Sequence, residues 1–161
     1  MKYATLLVAI ILTLSLSGHA QAPKETTTHH AIGTFEVKID PQPPDEKAGA
    51  PALARMLINK QFHGDLEAIS KGTMLAAGAG AKGSSGGYVA LEIVTGTLKG
   101  RAGAFILQHT GIMNRGAPSL TVTVVPDSGT GQLVGLAGKM TITIVDGKHS
   151  YDLEYTLPES Q

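Results

Sequence analysis

The chain has 161 residues, with 13 Lys+Arg against 13 Asp+Glu, six His and no Cys. That length suits one domain, and balanced charge gives no footing for long-range steering toward nucleic acid or other polyanions. The missing cysteines exclude a disulfide framework, thiolate zinc sites, a thiol nucleophile and a cysteine-linked acyl anchor.

In chain order, residues 1–20 read as a signal peptide. Lys2 forms the positive n-region, residues 6–16 are apolar apart from Thr13 and Ser15, and Gly18-His19-Ala20 places small residues at the −3 and −1 positions of a cleavage site. The apolar run falls short of the ~20 residues that span a bilayer. Cleavage after Ala20 and export to the periplasm or the medium are therefore expected, with no membrane attachment afterwards. Residues 21–30 are polar and Thr-rich and are expected to form a disordered leader that includes the pair His29-His30. The folded domain is expected over residues 31–158.

From Ala31 onward the hydrophobic pattern beats at period two. Phe35, Val37 and Ile39 alternate with Thr34, Glu36 and Lys38, which is a half-buried strand. Pro41, Pro43 and Pro44 end it, and an acidic, Pro- and Gly-containing linker follows. Met56, Ile58 and Phe62 alternate with Leu57, Asn59 and Gln61, and residues 66–77 continue after Gly64-Asp65. Residues 76–87 are nearly all Ala, Gly and Ser, a loop or a weakly specified strand. Residues 88–95 are apolar on both faces except at Glu92, and residues 104–109, 120–125, 139–145 and 150–157 complete the series. Turn chemistry separates the last runs: Asn114-Arg115-Gly116, Asp127-Ser128-Gly129 and Asp146-Gly147. No window shows a 3.6-residue period, so helices are expected to be short or absent. The pattern predicts an all-β protein, a single antiparallel closed β-barrel of about eight strands, because closure removes exposed edges.

Several side chains could carry chemistry. Glu92 interrupts the most apolar strand; it either points into the lumen, where burial perturbs a carboxyl, or lies on the outer face with Tyr88, Ala90 and Val94. Strict alternation would place Val89, Leu91 and Ile93 inside and Glu92 outside. Asp65 and Glu67 are two apart and share a strand face, an arrangement that can split their pKa values for acid–base work; Asp65 also reads as a turn former after Gly64. Asp127 lies in Pro126-Asp127-Ser128-Gly129-Thr130-Gly131, which resembles a phosphate loop only in its glycines, since no Lys stands in Walker position. Gln108 and His109 are candidates to line a lumen and bind a ligand. Asp146-Gly147 is a plain hairpin turn or a site of self-cleavage through the Asp146 carboxylate. No ligand spacing marks a metal site, and no motif requires a cofactor.

Beyond these patterns, six stretches resemble a family of small bacterial proteins of unknown function related in fold to allene oxide cyclase barrels. They are Gly33-Thr34-Phe35-Glu36-Val37-Lys38, Gln61-Phe62-His63-Gly64-Asp65-Leu66-Glu67, Gly86-Gly87-Tyr88-Val89-Ala90-Leu91-Glu92, Leu107-Gln108-His109-Thr110-Gly111, Val124-Val125-Pro126-Asp127-Ser128-Gly129-Thr130-Gly131 and Tyr151-Asp152-Leu153-Glu154-Tyr155. The resemblance implies the same antiparallel barrel. It implies no settled activity: the plant cyclases' catalytic residues find no match here, whereas an aspartate-dependent peptidase or self-cleaving activity would fall on Asp65, Asp127 and Asp146 with Glu67 and Glu92 as partners. Ala68 and Thr73 depart from the Gly and Glu more usual in the family.

Two functions of different class follow. One is an exported barrel that binds a small apolar or amphipathic ligand. The other is a carboxylate-dependent hydrolase or self-cleaving aspartic-type peptidase using Asp65, Glu67 and Glu92. A homo-oligomeric structural subunit is a third option, and binding ranks above catalysis.

Overall fold

The structure is a computed structural model, and it describes residues 27–43, 53–78 and 83–158. The signal peptide expected over residues 1–20 lies outside the described residues. Eight strands follow one another: β1 (His29–Pro41), β2 (Ala54–Gly64), β3 (Leu66–Gly78), β4 (Gly86–Leu98), β5 (Arg101–Asn114), β6 (Ala117–Val124), β7 (Ala137–Val145) and β8 (Lys148–Thr156). Each pairs antiparallel with the next, and β8 returns to β1 to close the barrel. A single short 3-10 turn at Gly131–Leu133 is the one helical element among the described residues. The all-β closed barrel expected from the alternation is the fold observed.

Local chemistry explains the hairpins. Asp146 and Gly147 both have positive φ, 50° and 75°, the type I′ geometry whose twist matches paired strands. Arg115-Gly116 and Lys99-Gly100 turn the same way. Asp127 also takes positive φ, 59°, and serves as a turn residue in the long β6–β7 connection.

That connection closes one end of the barrel. β6 pairs with β7 at a single position, Thr123 with Lys139. In compensation, the connection borrows the free edge of β5. The backbone N–H groups of Ala102, Ala104 and Ile106 donate to Gln132 Oε1, Thr130 Oγ1 and Ser128 Oγ. Thr130 N–H and Val125 N–H donate in return to Ala104 and Ile106 carbonyls. Three side-chain acceptors thus stand in for a strand, and Leu133 and Leu136 drop fully buried into the barrel end.

The lumen divides into two halves. Beneath the plug, Phe62, Leu66, Val94, Leu98, Phe105, Leu107, Met140 and Leu153 pack into one continuous cluster with Leu133 and Leu136. Each such side chain contributes about 1.5–3 kcal/mol by leaving water. The other half, where Ala76, Gly86 and Gly111 stand among larger residues such as Met56 and Ile58, holds an open cavity.

Two expectations are corrected. In β4 the inward residues are Ala90, Glu92, Val94 and Leu98, while Val89, Leu91 and Ile93 are 53–56% exposed on the outer wall. The strand's phase is therefore opposite to the one strict alternation favoured. The reason lies in its neighbours: Glu92 stands across from Gly72 of β3 and Leu107 of β5, and the space left there takes a carboxyl rather than another large apolar group. Residues 29 and 30 belong to β1 rather than to the leader. His29 pairs with Tyr155, their rings 5.4 Å apart, and His30 Nδ1 lies 2.8 Å from Asp152 Oδ1.

Candidate functional site

Where the packed half meets the open half, four polar side chains from four strands converge. Lys60 on β2, Ser70 on β3, Glu92 on β4 and His109 on β5 are all buried, at 8%, 2%, 1% and 3% exposure. Each occupies an inward position of its strand's alternation: Lys60 falls between Ile58 and Phe62, Ser70 two after Ala68, and His109 two after Leu107. Lys60 and Ser70 are direct cross-strand partners. Gly72 faces Glu92, and a Cβ there would come within 2.6 Å of the Glu92 Cβ, so a glycine gives the carboxylate its room.

Glu92 is the hub. Its Oε1 accepts from Lys60 Nζ at 2.7 Å and from His109 Nε2 at 2.8 Å, and its Oε2 accepts from the Ser70 hydroxyl at 2.9 Å. Burial alone would raise the Glu92 pKa. The hydrogen bond from His109 and the charge of Lys60 outweigh it and hold the carboxyl down to about 2. Glu92 is thus a buried anion that accepts from, and orients, the other three groups. The Lys60 ammonium also lies 5.0 Å from the centre of the Phe35 ring and 5.7 Å from that of Phe62, which spreads its charge over aromatic faces.

Above this belt opens a cavity of about 610 Å³. Its walls are mainly apolar, with Val37, Ile58, Met56, Met74, Ile112 and Ile142 among them, and Lys60 and His109 are its polar floor. Tyr88 contributes a phenol from β4 whose pKa is raised, first by burial and then by the Glu92 charge. The Tyr88 ring lies over Gly111 of β5, where a Cβ would meet ring carbon at 2.1 Å. His149 of β8 stacks on Phe35 with centroids 5.0 Å apart and completes the wall.

The remaining candidates lie elsewhere. Asp65 and Glu67 sit together at the opposite end, around the β2–β3 turn. Asp65 Oδ2 accepts from the Ile32 N–H, Glu67 Oε1 accepts from the Gly64 N–H, and Lys99 Nζ stands 3.5 Å from Asp65. Glu67 is opposite Thr97 whereas Gly72 is opposite Glu92. Five residues along a strand is roughly 16 Å, so the structure does not bring Asp65 and Glu67 to Glu92. Gln108 lies on the outer wall, exposed beside Leu91, because consecutive strand residues face opposite ways. Asp127 is in the plug connection and Asp146 in an exposed hairpin tip. Among the described residues no cluster of three or more His, Cys, Asp or Glu could hold a metal ion.

Two members of the belt, Lys60 and Ser70, were not singled out from sequence. A signal for Lys60 existed: it stands in phase with Met56, Ile58 and Phe62, so the alternation that buries those residues buries it too.

Residues 31–155 match the family model described as protein of unknown function, DUF3224. The chain belongs to the DUF3224 family. Among solved structures it is similar to a protein of unknown function from the DUF3224 family of Shewanella oneidensis MR-1, a crystal structure at 1.84 Å resolution. The two are 43% identical with a TM-score of 0.75, over 83% of this chain and 100% of that one. No curated protein matches.

Proposed function

We propose that this DUF3224 barrel is an exported protein that binds one small amphipathic molecule in the open half of its lumen. The observation that carries the reading is the cavity of about 610 Å³ with apolar walls and a floor made of Lys60 and His109. A mainly apolar pocket with a few convergent polar groups is the usual form of a small-molecule site, and eight strands give a barrel that can hold one such ligand. The apolar walls take the body of the ligand, and the belt takes its polar head.

The test is titration with N-phenyl-1-naphthylamine, an uncharged apolar dye that brightens on leaving water. Saturable binding to the wild-type protein is expected. Ala76→Phe projects a ring from β3 into the cavity and is expected to weaken binding by at least about tenfold, or 1.4 kcal/mol, with the fold unchanged by circular dichroism. Equal binding by both proteins would place the dye elsewhere and overturn the reading.

The Glu92–His109 contact favours a second reading, proton transfer to a bound molecule by His109. This differs from the hydrolase expected around Asp65, Glu67 and Glu92 in its groups, because a carboxylate–imidazole pair orients a base. Its mark is turnover of a bound compound that His109→Gln abolishes while dye binding persists.

A further inference from the structure

The belt's charge count narrows the class of molecule that the cavity takes. At neutral pH Lys60 carries +1 and Glu92 carries −1, so the floor is electrically balanced before any ligand arrives. Glu92 does not line the cavity: its oxygens accept from Lys60, His109 and Ser70, and of these belt groups Lys60 and His109 reach the cavity. An ammonium has three donors, and among the described residues Lys60 gives one to Glu92 and makes no other hydrogen bond. His109 Nε2 faces an ionised carboxylate at 2.8 Å and so carries its hydrogen there, an assignment made from the network. Its other nitrogen, Nδ1, has no hydrogen-bond partner among the described residues. The floor therefore offers donors on Lys60 and one nitrogen that exchanges a proton with whatever arrives.

We infer, on the footing of the lumenal-binding reading, that the ligand is a monocarboxylic acid whose head is taken up together with one proton, which resides on His109. A bare carboxylate lowered onto a balanced floor would leave a net negative charge in an apolar pocket, an expensive arrangement. Protonation of His109 at Nδ1 cancels that charge and supplies a second donor beside Lys60, so the two oxygens of the head each meet an N–H. The proton comes from solvent and no covalent bond changes. An amine head would bring a second cation beside Lys60 with no free anion to meet it, and is excluded on the same count. An alcohol fits the floor without exchanging a proton.

The ionisable groups facing His109 are few. β2 presents Lys60, β4 presents Glu92 and Tyr88, and β8 presents His149; the cavity positions of β1, β3, β5, β6 and β7 carry no other titratable side chain. His149 is the other imidazole lining the cavity, so it is the control.

The experiment uses decanoate, 1-decanol and decylamine as competitors of bound N-phenyl-1-naphthylamine, with calorimetry of decanoate binding in phosphate and in Tris. Decanoate is expected to displace the dye and decylamine to fail. The two buffers should report uptake of about one proton per decanoate near pH 8, and decanoate affinity should fall about tenfold per pH unit there. His109→Gln should flatten that slope, whereas His149→Gln should keep it. Dye binding without displacement by decanoate, or decanoate binding without proton uptake, overturns the acid-head inference and leaves the lumenal reading standing. No dye binding at all overturns the lumenal reading itself.

Discussion

The two halves of this barrel are built from the same eight strands and behave as different materials. In one half, Phe62, Phe105, Leu66, Leu107 and Leu153 pack with Leu133 and Leu136 of the plug into one buried cluster. In the other, the inward positions run to Ala76, Gly86, Tyr88 and Gly111, the connection between β3 and β4 contributes Ser84 and Ser85, and a cavity opens. The belt of Lys60, Ser70, Glu92 and His109 is the boundary. The contrast shows that alternation decides which way a side chain points, while its volume decides whether the lumen there is core or site.

Several substitutions break or sharpen the contrast. The largest effect is expected at the boundary. Glu92→Ala leaves Lys60 as an unpaired buried charge, which costs about 3–5 kcal/mol; urea denaturation should show this as a lower midpoint. Replacing Lys60 as well, Lys60→Met with Glu92→Leu, removes the unpaired charge and should recover part of that loss, the remainder being the cost of leaving the buried His109 N–H and Ser70 hydroxyl without their acceptor. Between the halves, Phe62→Ala in the packed cluster should cost about 3–5 kcal/mol. Met56→Ala, on the wall of the open cavity, should cost under ~1 kcal/mol because no new void is sealed in by the change.

Acid separates the belt from the rest of the molecule. The Glu92 carboxyl is held at about 2, below its ordinary 4.5. A depressed folded-state pKa contributes stability that is complete above the unfolded value and disappears as pH falls through the folded one. Denaturation midpoints should therefore decline from pH 4.5 toward 2 in the wild type, and the part of that decline due to Glu92 should be missing in Glu92→Gln. A further effect is expected at Gly111, where an added methyl would press on the Tyr88 ring. Gly111→Ala should cost about 1–3 kcal/mol by overpacking and should weaken dye binding as the ring tilts into the cavity.

Much of this architecture is legible along the chain. The Phe35, Val37, Ile39 rhythm and the Asp146-Gly147 turn are local facts, and β1 and the β7–β8 hairpin follow from them. Strand phase in β4 is less local. Val89, Leu91 and Ile93 are more apolar than Tyr88, Ala90 and Glu92, so hydrophobicity alone points the wrong way, and only the fit against Gly72 and Leu107 decides it. The hairpin at Lys99-Gly100 also escapes a search for Asn-Gly or Asp-Gly, because Lys99 adopts positive φ under the constraint of its strands. The belt was the least visible feature. Glu92 and His109 could each be suspected, but Glu92 meets His109 across 17 residues and Lys60 across 32, separations that only the barrel's register brings together. Asp65 and Glu67, two apart in sequence and tempting as a pair, instead brace the turn at the far end.

The methionines offer the most direct test of the central claim, that the open half is a binding site and the packed half is not. Met56, Met74 and Met113 line the cavity, whereas Met140 is buried in the packed cluster. With methyl-labelled methionine, addition of N-phenyl-1-naphthylamine should shift the NMR signals of Met56, Met74 and Met113 and leave Met140 in place. Unchanged cavity methyls, or a shift confined to Met140, would contradict the account.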